Sequence, residues 1–210
     1  MNILKELIMM LQMPRINKEY REEAKRKIIA AALEVAVKDG WEKVTLDAIA
    51  QIVGVTKGAF YSYFPSSNIL MQDVVIGMIR TIRDQMLEEI SDNLDNQHTI
   101  DSLADFIFVR MKPLFPAFIQ AMASEIPKDP LFREKLLGLL DENHLRIVAV
   151  LSKYQETGQI SKNVDLSSAV LSMYGMSIGL GMMTHVLGKD ITLIKKIWID
   201  TVGKILEMNP

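Results

Sequence analysis

The stretch Thr45–Phe64, TLDAIAQIVGVTKGAFYSYF, reads as a helix, a tight turn and a second short helix. Leu46, Ile49, Ala50 and Val53 recur at helical spacing and predict one apolar face over Leu46–Val53. Thr45 precedes that run as its N-cap, with a hydroxyl that accepts a bond from an otherwise unpaired backbone N–H. Asp47 falls in the first turn, where a carboxylate suits the positive end of the helix dipole. Gly54 ends the helix, because glycine reaches left-handed backbone angles without a Cβ penalty. Val55 is expected to plug the corner, with Phe60 and Phe64 also facing inward. Thr56 is expected to cap a second helix carrying Lys57 to Phe64. This is the helix-turn-helix pattern, whose second helix enters a DNA major groove.

Outward from this stretch, the chain is 210 residues long and 49% hydrophobic, enough apolar surface for a sizeable core and too much for a disordered polymer. The net charge is −2, yet its distribution is uneven. Residues 14–64 hold nine Lys/Arg against seven Asp/Glu, whereas residues 65–210 hold fourteen against eighteen. A locally basic N-terminal module on an acidic body suits a protein that meets DNA with one end. No cysteine is present, which removes disulfide and thiolate chemistry and fits a reducing, cytoplasmic setting. Met1–Met13, MNILKELIMMLQM, is apolar but interrupted by Lys5 and Glu6. It lacks the basic start and the small-residue cleavage site of a signal peptide. It reads as an amphipathic extension, or else translation begins at Met13. No segment is expected to span a membrane.

Helical periodicity predicts an all-α chain. A first helix is expected over about Lys18 to Lys38, with Ala24, Ile28, Ala31 and Val35 as its buried stripe. Lys18, Arg21 and Lys25 share another face and read as solvated charge. Pro65-Ser66-Ser67-Asn68 breaks the chain and starts a long helix, about Ser67 to Asn93, with Leu70, Val74, Met78, Ile82, Met86 and Ile90 four apart. Further helices are expected over about Ile100–Lys112, Ala117–Ser124, Leu131–Glu156, Asp165–Leu187 and Ile191–Met208. Three regions result: an N-terminal extension over 1–17, a three-helix DNA-binding domain over 18–66, and a helical regulatory, ligand-binding and dimerisation domain over 67–210.

Gly40 to Leu70 resembles the DNA-binding domain of the TetR (tetracycline-repressor type) family of bacterial transcriptional regulators. The resemblance rests on Gly40, Thr45, Ile49, Ala50, Gly54, Val55, Lys57, Gly58, Phe60, Tyr61, Tyr63, Phe64 and Leu70, above all the run VTKGAFYSYF. It covers about the first 75 residues; beyond them only the architecture agrees. The family usually follows the terminal Phe with a small residue, then Lys and an acidic residue, and that Lys commonly meets a phosphate. This chain has Pro65-Ser66-Ser67-Asn68 there, so the Lys contact does not carry over and Ser67 is the remaining side-chain donor.

The expected DNA-facing residues are Thr45, Thr56, Lys57, Gly58, Ala59, Tyr61, Tyr63 and Ser67. Thr45 sits at a helix N-terminus, where phosphate binds readily. Thr56 suits a base edge or thymine methyl, and Lys57 a phosphate or the O6/N7 edge of guanine. Gly58 and Ala59 lack bulk, which lets the helix sit deep. Tyr61 and Tyr63 resemble the family's tyrosines, which contribute phosphate contacts and some base contact. The plainer readings stand beside these: both threonines as caps, Lys57 as a solvated charge and Tyr63 as partly core.

The resemblance further implies a homodimer, with the last two long helices forming a four-helix bundle across a two-fold axis. The residues expected at that interface are Gly175, Met176, Gly179, Leu180, Met183, Ile194, Trp198, Val202 and Ile205, with Met173, Gly181 and Thr201 nearby. The plainer reading is an ordinary core. It also implies a small-molecule pocket in the body, lined by Phe108, Met111, Phe115, Phe118, Met122, Tyr154, Met173 and Tyr174. Glu125 is the candidate anchor for a cationic ligand. Fourteen methionines supply adaptable apolar wall. The implied function is a repressor of double-stranded operator DNA, released by a small lipophilic inducer, a cationic one included. No cofactor is implied. Catalysis is disfavoured, since His98, His144 and His185 lack metal-ligand spacing and no nucleophile elbow or phosphate loop occurs. The competing reading is a helical protein-interaction adaptor that keeps the helix-turn-helix only as a fold element.

Overall fold

The computed structural model describes residues 18–91 and 96–208; the readings of the segment 1–17 lie outside the described residues. Among the described residues the chain is all-helical, with nine α-helices and no strand. They are α1 Lys18–Asp39, α2 Leu46–Val53, α3 Lys57–Phe60, α4 Ser67–Ser91, α5 Asn96–Asp105, α6 Phe115–Glu125, α7 Pro130–Glu156, α8 Leu166–Gly181 and α9 Ile191–Ile205. A π-helical turn over Phe106–Arg110 extends α5, and another over Met182–Val186 extends α8.

The N-terminal helices form as their apolar spacing requires. Ile28, Ala31, Ala32, Val35 and Ala36 of α1 are buried, and Ala24 is half-buried. Gly40, at φ +92°, turns the chain so that Trp41 and Val44 fold back into the core. Helix α1 crosses α4 closely at Gly77, where a Cβ would lie 2.8 Å from Ile29 Cγ2.

Helix α4 carries 25 residues and so spans about 38 Å. Its N-terminus is capped by Ser66, whose hydroxyl accepts from the Ile69 N–H at 3.2 Å. Leu70, Val74 and Met78 are buried at its start and Ile90 near its end, while Ile82 and Met86 are half-buried between them. Helix α5 starts at Asn96, four residues earlier than the apolar pattern suggested. Around Pro113 and Pro116 the chain bends by 74° between His98–Arg110 and Phe115–Lys128. Pro116 is tolerated because it lies in the first turn of α6, where its missing N–H has no partner to lose.

Buried side chains form two clusters. The first joins α1, α2 and α3 to the N-terminal part of α4, to Ala117 and Ala121 of α6, and to Phe132, Leu136 and Leu139 of α7. The second joins Ile90 to α5, the C-terminal half of α7, α8 and α9. The DNA-facing module therefore shares its core with the near part of the body, and the packing boundary falls within α4. Two hydrogen bonds reinforce this junction: Trp41 N–H donates to Gln120 Oε1 at 3.3 Å, and Gln72 Nε2 to Asp129 Oδ2 at 2.9 Å. Asp129 is also the N-cap of α7, and the hydrogen bonds it accepts from Gln72 and from the Phe132 and Leu131 N–H groups hold its carboxyl below the usual carboxylate range.

The expectation that no segment is long and apolar enough to span a membrane is corrected for Leu166–Val186, which meets both criteria. It carries no Asp, Glu, Lys or Arg: Leu166, Ala169 and Val170 pack inward, while Leu171, Ile178, Met183 and Val186 are exposed.

Candidate DNA interface and ligand cavity

Helices α2 and α3 and the turn between them present the predicted DNA-facing side chains. Thr45 caps α2, its Oγ1 accepting from the Ala48 N–H at 3.2 Å, and it remains exposed. Gly54 adopts φ +73°, which ends α2 in the left-handed region. Thr56 occupies the N-cap position of α3 without a side-chain capping bond, contrary to expectation, and is exposed. Val55 is also exposed rather than plugging the corner; Phe60 and Phe64 fill the interior there.

The second helix is shorter than the sequence suggested. Regular α-helix covers only Lys57–Phe60, and tighter turns follow: Ser62 and Tyr63 N–H donate to carbonyls three residues back. Lys57 Nζ lies 2.6 Å from Asp47 Oδ1, with both side chains more than half exposed. Gly58 is exposed, and a Cβ placed there would meet nothing closer than Thr56 Oγ1 at 3.9 Å. The chain's own packing does not demand glycine at 58. Ala59 is half-buried, Tyr61 is 57% exposed, Tyr63 packs partly against the core, and Ser67 is exposed.

A cavity of about 440 Å³ lies in the body, between α4, α5, α6, α7, α8 and α9. Of the nine expected ligand residues, Met111, Phe115, Phe118, Tyr154, Met173 and Tyr174 line it. Three do not. Phe108 is fully buried and packs edge-on against Trp198, with ring centroids 6.1 Å apart. Met122 packs against the first core cluster. Glu125 is buried but already bonded to Lys128 Nζ at 2.8 Å and to Ser124 Oγ at 3.0 Å, so it anchors no ligand in this cavity.

The cavity also holds residues that helical apolar patterns passed over: Arg83, Thr99, Asp141, Asn143 and His144. Burial pushes the Tyr174 phenol up to about 12, so it stays protonated. The Tyr154 hydroxyl donates to the Ile90 carbonyl at 2.7 Å, joining two residues of the cavity wall.

The expected dimer residues divide. Ile194, Trp198 and Val202 are interior, Trp198 being only 1% exposed with its Nε1 donating to Ser177 Oγ at 2.9 Å. They lie on the inward stripe of α9 and are not free to meet a second copy. Gly175, Gly179 and Met183 are exposed, and Met176, Leu180 and Ile205 are half-buried. A Cβ at Gly175 or Gly179 would meet nothing within 4 Å. Gly181 differs: a Cβ there would lie 2.5 Å from the Phe115 ring, so it serves the interior. Leu171, Ile178, Val186, Leu193 and Ile197 complete the exposed apolar face of α8 and α9 and were missed. Among the described residues no cluster could hold a metal ion.

An all-helical body behind an exposed helix-turn-helix defines a DNA-binding regulator. Residues 28–73 match the model of the bacterial regulatory proteins of the tetR family. The chain is 24% identical to the HTH-type transcriptional regulator TtgR of Pseudomonas putida, over 94% of this chain and 98% of that one. Its fold is similar to a TetR-family regulator from Mesorhizobium loti, with a TM-score of 0.72 and 16% identity over 89% of this chain and 96% of that one. It is likewise similar to a transcriptional regulator from Saccharomonospora viridis solved in complex with choline, with a TM-score of 0.68 and 17% identity over 86% and 96%. The DNA-binding domain over residues 28–73 belongs to the TetR family of transcriptional regulators, a family of DNA-binding proteins rather than enzymes.

Proposed function

We propose that this protein is a cytoplasmic, dimeric repressor released from its operator when a small lipophilic molecule enters the body cavity. The observation that carries this reading is the position of the cavity against α4. The same helix that begins three residues after Phe64 supplies Ile79, Ile82, Met86 and Ile90 to the cavity wall. Helix α6 is a second lever: Phe115 and Phe118 face the cavity while Gln120 holds the backbone of Trp41. A ligand that displaces either helix moves the DNA-facing module. The cationic form of the inducer loses its support, because Glu125 does not line the cavity and is paired with Lys128.

On the DNA side, we assign Lys57, Thr45 and Ser67 to phosphates, and Thr56, Gly58, Ala59 and Tyr61 to the groove, with Tyr63 a lesser contributor; the exposure of all but the half-buried Ala59 and Tyr63 supports this. The small side chain at Gly58, unexplained by internal packing, suits close approach to DNA. Two half-sites about 34 Å apart require two copies. The exposed face of Leu171, Gly175, Ile178, Gly179 and Met183 suits the second copy, since glycines there allow helices to approach closely. The adaptor reading has no feature in its favour beyond exposed surface.

The test is a DNA mobility shift at moderate salt with the fragment upstream of the protein's own gene, with and without a panel of lipophilic compounds. Retention of the fragment and its release by a panel member are expected. No retention at any salt would sink the regulator, and retention with no release by any compound would sink the inducer.

A further inference from the structure

Resting on the reading of the body cavity as a ligand site, we infer that it takes an amphiphile with a carboxylate head, the head seated on Arg83 and Asn143. The wall is apolar almost throughout, so its few polar groups decide orientation. The Arg83 side chain is only 12% exposed. Its Nε and Nη2 both donate to one oxygen of Asp84, and its Nη1 donates to Asn143 Oδ1 at 3.2 Å. A guanidinium has five N–H groups. Two of them, one on each terminal nitrogen, have no partner among the described residues.

Asn143 is buried, and its orientation follows from Arg83. Because Oδ1 faces the guanidinium, the two amide N–H groups are what Asn143 has left to offer. The pair therefore offers more donors than acceptors. Planar donors of this kind match a carboxylate, whose two oxygens only accept. The charge argues the same way. Arg83 is nearly buried, whereas its counter-ion Asp84 is 58% exposed and screened by solvent. The other ionisable groups on the wall are His144, whose Nε2 is 2.9 Å from Ser167 Oγ, the two phenols, and Asp141, which is exposed. The inner wall thus carries one incompletely offset cation. From Ile79 to Ile90 the cavity follows α4 for about 16 Å, long enough to lay an extended aliphatic tail beside Met86, Ile147 and Trp198.

The experiment is calorimetric titration of the full chain with three probes of one tail length below their aggregation limits: dodecanoate, 1-dodecanol and dodecylammonium. Dodecanoate is expected to bind about 10- to 100-fold tighter than dodecanol, as a charge-assisted contact adds. Arg83→Gln should erase that preference and leave dodecanol binding within about twofold. Asn143→Asp keeps Arg83 partnered while turning donors into acceptors, and should erase it too. Equal affinities, or dodecylammonium binding tightest, overturn the carboxylate assignment and leave the cavity as a ligand site. Failure of all three to bind overturns both.

Discussion

Lys57, the first residue of α3, holds its ammonium 2.6 Å from the carboxylate of Asp47 in the first turn of α2. The pair bridges the two limbs of the helix-turn-helix, yet both partners are exposed, so it contributes little to stability. Its significance is positional. Asp47 aims the Lys57 side chain while masking part of its charge.

Asp47→Ala is accordingly expected to strengthen operator binding modestly, and Lys57→Ala to weaken it by roughly tenfold. Lys57→Ala should also lower the slope of log affinity against log salt by about one. Mobility-shift titrations at three salt concentrations measure both, with melting curves as the control for folding. An unchanged slope for Lys57→Ala would remove Lys57 from the phosphate contacts.

Gly58→Leu tests whether the missing side chain matters to DNA alone. A Cβ at this exposed position meets only Thr56 Oγ1, at 3.9 Å, so the melting temperature should stay the same or rise, since leucine is the better helix former. Operator affinity should fall at least tenfold. Loss of stability in place of affinity would return Gly58 to the protein's own packing.

The glycines of α8 are expected to separate by effect. Gly181→Ala drives a methyl into the Phe115 ring and should cost about 1–3 kcal/mol in chemical denaturation. Gly179→Arg puts its Cβ in open space at an exposed position of the monomer, and should shift sedimentation from dimer to monomer at micromolar concentration. A Gly179→Arg protein that still sediments as a dimer places the interface elsewhere.

His185 supplies a pH dependence. Burial holds its pKa below the ordinary histidine value, and the nearby Lys112 charge pushes the same way, against a backbone hydrogen bond to Ile107. The ring packs on Phe115 with centroids 5.1 Å apart. With the folded pKa depressed, the unfolded chain binds the proton first. Stability from this site is therefore complete above about pH 6.5 and is lost as pH falls through the folded value. The melting temperature should drop between pH 7.5 and 5.5 by less in His185→Gln than in the unsubstituted protein. An equal drop in both would assign the acid sensitivity to other groups.

Much of this could be read from residue order. Thr45, Gly54, Phe60 and Phe64 each perform the local task their chemistry suggests, because caps, left-handed turns and aromatic burial are decided within a few residues. The inward stripe of α9 was harder. Trp198 and Val202 have helical spacing that fits an interface or a core equally, and only the tertiary packing against α5 and α8 decides for the core. Asn143 carried a signal that went unread. It falls in register with Leu136, Leu139 and Ile147, so a polar group in a buried stripe of α7 marked a polar contact inside the body. Its partner Arg83 sits one position off the four-residue repeat of α4, and their meeting depends on a contact 60 residues apart.

The two core clusters meet along α4, and the cavity borders both, with Ile79 from one and Ile90 from the other on its wall. Substitutions at half-buried wall positions such as Met86, Phe118 and Met173 fall in the seam, and disturb neither cluster at its centre. Side chains along this seam can therefore be exchanged, and the shape of the cavity altered, without removing a central member of either core.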